Sequence, residues 1–410
     1  MTDSYLVQLQ LPDGEWVDVG LLRTATNTNW FESLDKYWSL PSRPVLGQVF
    51  EEQDHSWRPN ARVALPHWFS HLLPEGRLRD AVAAAAGIKV VRELPLLALL
   101  GEDDLPGAIR VVPSDEDGNA LPPDDDENDD ESGSDINPLL KFSLAGLQMK
   151  FSIHQSDRGL TIPVSGSAGN MILKLPDARP GYDDVPEAEF AAMKLAAAAG
   201  IPTPEVSLVD AKKVDGLSEW AKDLPGASFA IVRFDRTASG NRIHAEEIAQ
   251  VLNISPRKPY SKYRNANFET VANVVANLVG VEAVGDVIDR IVLNVLVGNG
   301  DAHLKNWAFT YPDGRRPALS PVFDVLPTVL YVKNDDLGMN LNGSKEFELI
   351  TASSFEGLGD ASGYGAAAAR KRAEAAAERI LAEWRLMDDI LSREKAALLG
   401  ERLRTLALAK

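Results

Sequence analysis

The sequence predicts an α+β protein with two lobes behind an N-terminal unit, and three observations carry that expectation. Strand-like segments dominate the first half of the chain and helical periodicity the second, as expected when sheets and helices segregate. At 410 residues, the chain is long enough for two or three cores of about 100–200 residues each. Hydrophobic residues make up 45% and charged residues 25%, the balance of a globular chain rather than a disordered or fibrous one.

Ser4–Leu11 and Trp16–Leu22 alternate or run apolar on either side of Pro12-Asp13-Gly14, a hairpin signal. Trp68–Leu73 and Leu78–Ala86 have helical spacing around the Pro74-Glu75-Gly76 breaker. Leu94–Leu100 is a further helix candidate and Ala108–Val112 a short strand, so residues 1–113 are expected to form one α+β domain with its own core. Beyond residue 138, Phe142–His154 reads as strand–turn–strand with Gly146 in the turn, and Met171–Leu175 as a short strand stopped by Pro176. Glu187–Ala199 has helical spacing and ends at Gly200, a residue suited to the left-handed position after a helix. Val206–Val209 and Phe229–Phe234 read as strands, and residues 139–235 are expected as a small lobe. Ala245–Leu252, Phe268–Leu278 and Val284–Gly298 are expected helices. The last sixty residues are rich in helix formers, so residues 236–410 are expected as a large helical lobe.

The net charge of −18 is concentrated. Ser114–Asp135 holds eleven carboxylates and no Lys or Arg; without it 49 acidic and 42 basic residues remain, a difference of −7. Like charges interspersed with Pro, Gly and Ser repel one another and bury nothing, so residues 114–138 are expected as a disordered acidic loop. The acidic remainder argues against direct nucleic-acid binding, which needs clustered Lys and Arg. The chain has no cysteine, which excludes disulfides, cysteine-ligated zinc, iron–sulfur clusters and thiol nucleophiles. No stretch approaches the roughly 18 apolar residues of a membrane span, and MTDSYLVQLQLPDGEW lacks a basic region followed by an apolar one. The expectation is a soluble, cytoplasmic protein with no membrane partner.

Chemistry concentrates in NVLVGNGDAHLKNWAFTY at Asn294–Tyr311, where Asn299, Asp301, His303, Lys305 and Asn306 follow an apolar helix. Thirteen residues after Tyr311, Asp324 sits in the apolar SPVFDVLPT. Two carboxylates and an amide on loops suit Mg²⁺, which takes one or two carboxylates and completes its shell with phosphate oxygens and water. Asp301 precedes Asn306 by five residues, the separation of the catalytic Asp and metal-binding Asn in a protein-kinase catalytic loop. That architecture also needs a metal-binding Asp after a hydrophobic residue, a strand Lys for the phosphates and a helix Glu to hold the Lys. Phe323-Asp324, Lys174, and Glu187 or Glu189 supply them in the right order. The expected fold is therefore α+β: a bilobal protein-kinase-like fold with an N-terminal α+β domain and a large helical C-terminal lobe. Taken singly, Asp301 and Asn306 are also good caps, Lys174 a plausible snorkelling strand end, and Glu189 a dipole-favoured first-turn residue; four elements in sequence weigh against those readings. GxxxxGK[ST], GxGxxG and GxSxG are absent, against P-loop, Rossmann and α/β-hydrolase readings.

FSLAGLQMK at Phe142–Lys150, ILKLP at Ile172–Pro176, EAEFAAMKLA at Glu187–Ala196, RFDR at Arg233–Arg236, GNGDAHLKN and SPVFDVLPT together resemble the HipA family, serine/threonine kinase toxins of bacterial type II toxin–antitoxin systems. FSHLLPEGRLRD at Phe69–Asp80 and LLGEDDLPGAIRVV at Leu99–Val112 resemble the family's N-terminal domain, so the resemblance covers nearly all of the chain except the acidic loop. It implies an ATP- and Mg²⁺-dependent kinase with Asp301 as the catalytic Asp, Asn306 and Asp324 as metal ligands, Lys174 on the ATP phosphates, and Glu189, better placed than Glu187, as its partner. Ala145, Gly146, Gln148 and Lys150 would belong to the loop covering the phosphates, with Ser143 as an inactivating autophosphorylation site. Phe229–Arg233, including Ile231 and Arg233, would form the hinge against adenine, and His303 and Lys305 would support the phosphates. The phosphate-covering loop holds a single glycine, Gly146, where a eukaryotic-type kinase loop has three; HipA-like proteins share that feature. The resemblance further implies an aminoacyl-tRNA synthetase as protein substrate and a HipB-like helix-turn-helix antitoxin that alone contacts operator DNA. The competing expectations are a small-molecule kinase and a catalytically silent module acting with its antitoxin as co-repressor.

Overall fold

The computed structural model describes residues 3–410 apart from 90, 102–103, 122–148, 158, 164–168, 178, 183 and 259. Ser143, Ala145, Gly146 and Gln148, and most of the expected acidic loop, therefore lie outside the described residues. The first residues of that loop do not fit the expectation of disorder. Ser114 ends a strand and bridges to Ala120, and a turn between them is closed by Asp115 N–H to the Asn119 carbonyl at 3.0 Å.

The expected hairpin is present: Asp3–Gln10 pairs antiparallel with Trp16–Ala25, and Gly14 in the turn has φ +96°, a conformation costly to a residue with a Cβ. Thr28–Ser33 and Asn60–Arg62 extend the sheet on one side and Ile109–Ser114 on the other. Inward-facing Val7, Leu9, Leu22 and Phe31 pack against Trp68, Phe69, Leu96 and Leu97 of the adjoining helices, so this unit has a core of its own.

A six-stranded sheet comes next, in the order Val214–Asp215, Gly159–Thr161, Lys150–Ser156, Met171–Lys174, Ser228–Val232 and Val206–Val209. One face has its own core around Phe151, Leu173 and Val214. The helix Val185–Ala198, with Pro186 in its first turn where a missing N–H costs nothing, instead joins Phe229 and Ile231 in the large core of the C-terminal helices. Phe268–Leu278 and Val284–Val297 form as expected, and the C-terminal run divides into Ala366–Ala382, Arg385–Ile390 and Arg393–Leu403. No helix among the described residues is long and apolar enough to cross a membrane.

The sequence expectation of one helix over Ala245–Leu252 is corrected. His244–Glu247 is a strand paired with Ala308–Tyr311, and only Ile248–Val251 is helical. The reason is tertiary: this strand lies against the N-terminal unit. His244 Nε2 contacts the Leu46 carbonyl at 2.8 Å. The Glu246 carboxylate accepts from the Gln48 amide (3.0 Å), the Trp68 indole (3.1 Å) and the Tyr311 hydroxyl. Burial pushes the Glu246 carboxyl up to about 7, the three donors opposing it. Its folded value thus lies above its unfolded value near 4.5, so its contribution is fully present below pH 4.5 and lost as pH rises through about 7. Glu246→Gln, neutral throughout, is expected to lose less thermal stability than the parent between those pH values; parallel melting curves that never diverge would refute this.

Candidate active site

Two elements deliver the upstream pair. Lys174 is the last residue of the strand Met171–Lys174, held between Lys150–Ser156 and Ser228–Val232, and Glu189 lies near the start of Val185–Ala198. The Lys174 ammonium donates to Glu189 Oε1 and to Asp324 Oδ1. Both Lys174 and Glu189 are almost wholly buried, at 4% and 2% exposure, so each needs the other to offset the loss of hydration. Glu187, two residues away and on another face of the helix, accepts from the Ala227 amide at 3.3 Å instead. Lys150 stands 3.6 Å from Asp324 Oδ2.

Burial would raise the Asp324 carboxyl, but Lys150 and Lys174 outweigh it and hold it well below the ordinary carboxylate range. Burial dominates at Glu189, aided by the Asp324 charge, and pushes that carboxyl up although Lys174 opposes it. One ammonium between two carboxylates, with a second cation beside only one of them, accounts for the opposite directions. Lys174 is held protonated: burial works against its charge, and Asp324 and Glu189 overcome it. Asp324 has φ +59°, a left-handed conformation uncommon for a residue with a side chain and concentrated at functional sites. Phe323 before it packs on Phe234, ring centroids 5.2 Å apart.

The downstream loop begins where Val284–Val297 stops. Gly298 closes that helix at φ +76°, and a Cβ there would lie 2.5 Å from Val329 Cγ2, so glycine is required both for the turn and for the approach. Asn299 braces the start of the loop: its Nδ2 donates to Asn294 Oδ1 at 2.9 Å, and its Oδ1 accepts from the Asp301 amide at 3.0 Å. Asn306 Nδ2 donates to the Asp301 carbonyl at 2.7 Å, which leaves its amide oxygen as the atom able to ligate. Asn306 and Asp324 line one small cavity of about 10 Å³ with Arg290, Asn294 and Phe323. The ionised Asp324 carboxylate and the oriented Asn306 amide oxygen share this cavity and would suit the sparse oxygen ligation of Mg²⁺. Asp301 keeps 52% of its side chain exposed, and His303 Nε2 lies 3.8 Å from its Oδ1. Burial pushes the His303 imidazole down, toward the neutral form.

Lys174, Glu189, Asp324, Lys150, Asn306, Asp301 and His303 are thus gathered on neighbouring strand, helix and loop ends. Two other candidates face elsewhere. The Lys305 ammonium bonds Glu75 at 2.9 Å and lies 3.4 Å from Glu247. The Arg233 guanidinium bonds Asp235 (2.8 Å) and Asp104 (2.6 Å), in a buried network with Arg236 that joins the strand end to the N-terminal unit. Ile231 is buried in the strand pairing with Met171–Lys174. Tyr263, whose hydroxyl donates to Asp301 Oδ1, and Glu75 are not identifiable from sequence. Neither has a spacing relation to the catalytic-loop motif; the only hint is the clustering of Lys262, Tyr263 and Arg264.

A strand lysine paired with a helix glutamate, opposite a loop bearing Asp and Asn in a two-lobed α+β framework, defines a protein of the kinase-like class. The chain belongs to the HipA family: a HipA-like C-terminal domain is matched over residues 142–384 and a HipA N-terminal domain over residues 15–112. It is 42% identical over 293 residues to a Sinorhizobium fredii protein named "putative kinase Y4dM", covering 70% of this chain and 69% of that protein. A second protein of that organism, "putative kinase Y4mE", is 32% identical over 296 residues, covering 67% of this chain and 66% of its own length. In fold, the chain is similar to HipA of Shewanella oneidensis MR-1, solved with HipB and operator DNA, at a TM-score of 0.68 and 18% identity over 98% of this chain and 96% of that one.

Proposed function

We propose that this protein is an ATP-dependent protein serine/threonine kinase, acting in the cytoplasm as a HipA-like toxin. The observation that carries the reading is the Lys174–Glu189 pair joined to Asp324, with Asp301 and Asn306 on the adjacent loop. Lys174 would bind ATP phosphate oxygens, and Glu189 keeps its ammonium in place. Asn306 and Asp324 would hold Mg²⁺, which supplies charge neutralisation on the transferred phosphoryl group. Asp301, exposed and braced by Asn299, would orient the acceptor hydroxyl and accept its proton. Lys150, 3.6 Å from Asp324 Oδ2, supports a phosphate-covering role for the segment it ends and, with it, a regulatory role for Ser143. Family membership supports a HipB-like antitoxin as partner, with operator DNA reached through it, and an aminoacyl-tRNA synthetase as the protein substrate.

Incubation with Mg·ATP followed by intact-mass and peptide mapping tests the reading. One added phosphoryl group is expected at Ser143, absent in Ser143→Ala. A synthetase panel with labelled ATP tests the substrate. A chain that labels neither itself nor any synthetase, yet still binds a helix-turn-helix partner, would favour the co-repressor reading.

A further inference from the structure

Asp301 is the most exposed of the gathered carboxylates, yet one of its oxygens is occupied. The Tyr263 hydroxyl donates to Oδ1, while no hydrogen bond among the described residues engages Oδ2. The Tyr263 ring packs edge-on against His303, centroids 5.1 Å apart at 74°, which fixes the direction from which the hydroxyl arrives. Burial, joined by the Asp301 charge, pushes the Tyr263 phenol above its usual value, so it remains a donor.

Tyr263 sits on a single helical turn, Ser261–Arg264, too short to be stable alone. The turn is tied down from two directions. The Ser261 hydroxyl bonds the Ser255 and Lys258 carbonyls at 2.6 and 2.8 Å. Next to the tyrosine, Lys262 bonds Glu75 Oε2 at 2.8 Å, and the other oxygen of the same carboxylate bonds Lys305 at 2.9 Å. Burial would raise the Glu75 carboxyl, but Lys305 and Lys262 outweigh it and hold it well below its ordinary range. Glu75 comes from the Pro74-Glu75-Gly76 break between two helices of the N-terminal unit, and Lys305 from the loop between Asp301 and Asn306. One N-terminal carboxylate therefore grips both the turn that carries Tyr263 and the loop that carries Asp301.

We propose that Tyr263 is a positioning residue for Asp301: its hydroxyl fixes one carboxylate oxygen so that the other is presented to the acceptor hydroxyl, and Glu75 holds Tyr263 in register from the N-terminal unit. The proposal rests on the kinase function proposed for this site. A base oriented by a third group is a recurring device, and small misplacements of a reacting group are costly in rate. The bond from a neutral phenol to a carboxylate is charge-assisted and correspondingly strong.

The test compares the full-length parent with Tyr263→Phe, Glu75→Gln, Asp301→Asn and the Tyr263→Phe/Asp301→Asn double variant, reading Mg·ATP turnover as phosphate incorporated plus phosphate released. Tyr263→Phe is expected to lower kcat roughly tenfold or more, with the KM for ATP and the melting temperature unchanged. Glu75→Gln, acting at one remove, is expected to lower kcat by a smaller factor in the same way. In the Asp301→Asn background, Tyr263→Phe is expected to add no further loss, which a merely structural tyrosine would not reproduce. Full activity of Tyr263→Phe, or a rise in activity from an unblocked Asp301, overturns the proposal while leaving the kinase function intact. A parent without any turnover overturns both.

Discussion

Asp301→Asn is expected to slow phosphoryl transfer roughly 10²–10⁴-fold, the range for losing a positioned general base, with nucleotide affinity preserved. The substitution is nearly isosteric. The Asn299 brace acts on the residue's backbone amide and Asn306 on its carbonyl, so both survive. An asparagine oxygen can still accept from Tyr263. What disappears is the negative charge and the capacity to take the acceptor's proton, which matters only as the transition state forms. Labelled-phosphate incorporation at saturating ATP gives the rate, and calorimetric titration with nucleotide gives the affinity. A variant as fast as the parent would remove Asp301 from the mechanism; one that loses nucleotide binding and rate together would make it a structural residue.

Lys174→Met is expected to fail in two ways at once, losing transfer and stability. Methionine approximates the volume of the stem but leaves Glu189 buried without its cation. Breaking a buried pair from one side is strongly destabilising. Here Asp324 keeps Lys150 and a 31% exposed side chain, and Glu189 can take up a proton, so a loss of about 2–4 kcal/mol is the expectation. Acid behaviour separates this from simple core damage. Asp324 has a folded value depressed below its unfolded value near 3.8, so its contribution is present above that pH and lost as pH falls. Lys174→Met, with one cation fewer beside Asp324, should lose less additional stability on acidification than the parent does. Melting temperatures from pH 7 downward decide it; a variant as stable as the parent at pH 7 would contradict the pairing.

Much of the site was legible because its parts are local. The five-residue step from Asp301 to Asn306, the Phe323-Asp324 dipeptide and a strand ending in Lys174 are short-range patterns set by one loop or strand end. The residues alone leave Glu187 and Glu189 open, and only the family resemblance favours Glu189, the one that pairs with Lys174. Both open the same helix, and which one meets Lys174 depends on how that helix is rotated against the sheet; Glu189 points to the lysine and Glu187 to the Ala227 amide. Lys305 and Arg233 also belong to legible motifs, yet their charges are taken by Glu75 and Glu247 and by Asp104 and Asp235. Glu75 and Asp104 come from the N-terminal unit, where no spacing rule reaches.

The same division runs through the fold. By itself the sequence determined the hairpin around Pro12-Asp13-Gly14, the helices Phe268–Leu278 and Val284–Val297 and the order of the candidate site residues, because turn chemistry, hydrophobic period and motif spacing act within a few residues. Only the tertiary structure decided that His244–Glu247 is a strand, that Glu246 is a buried link to Trp68 and Gln48, and that Tyr263 reaches Asp301 under the grip of Glu75. Each of those outcomes depends on pairing charged or hydrogen-bonding groups with a segment distant in sequence. Local propensity cannot specify such contacts, because the stabilising partner is brought near only once the distant segments have packed.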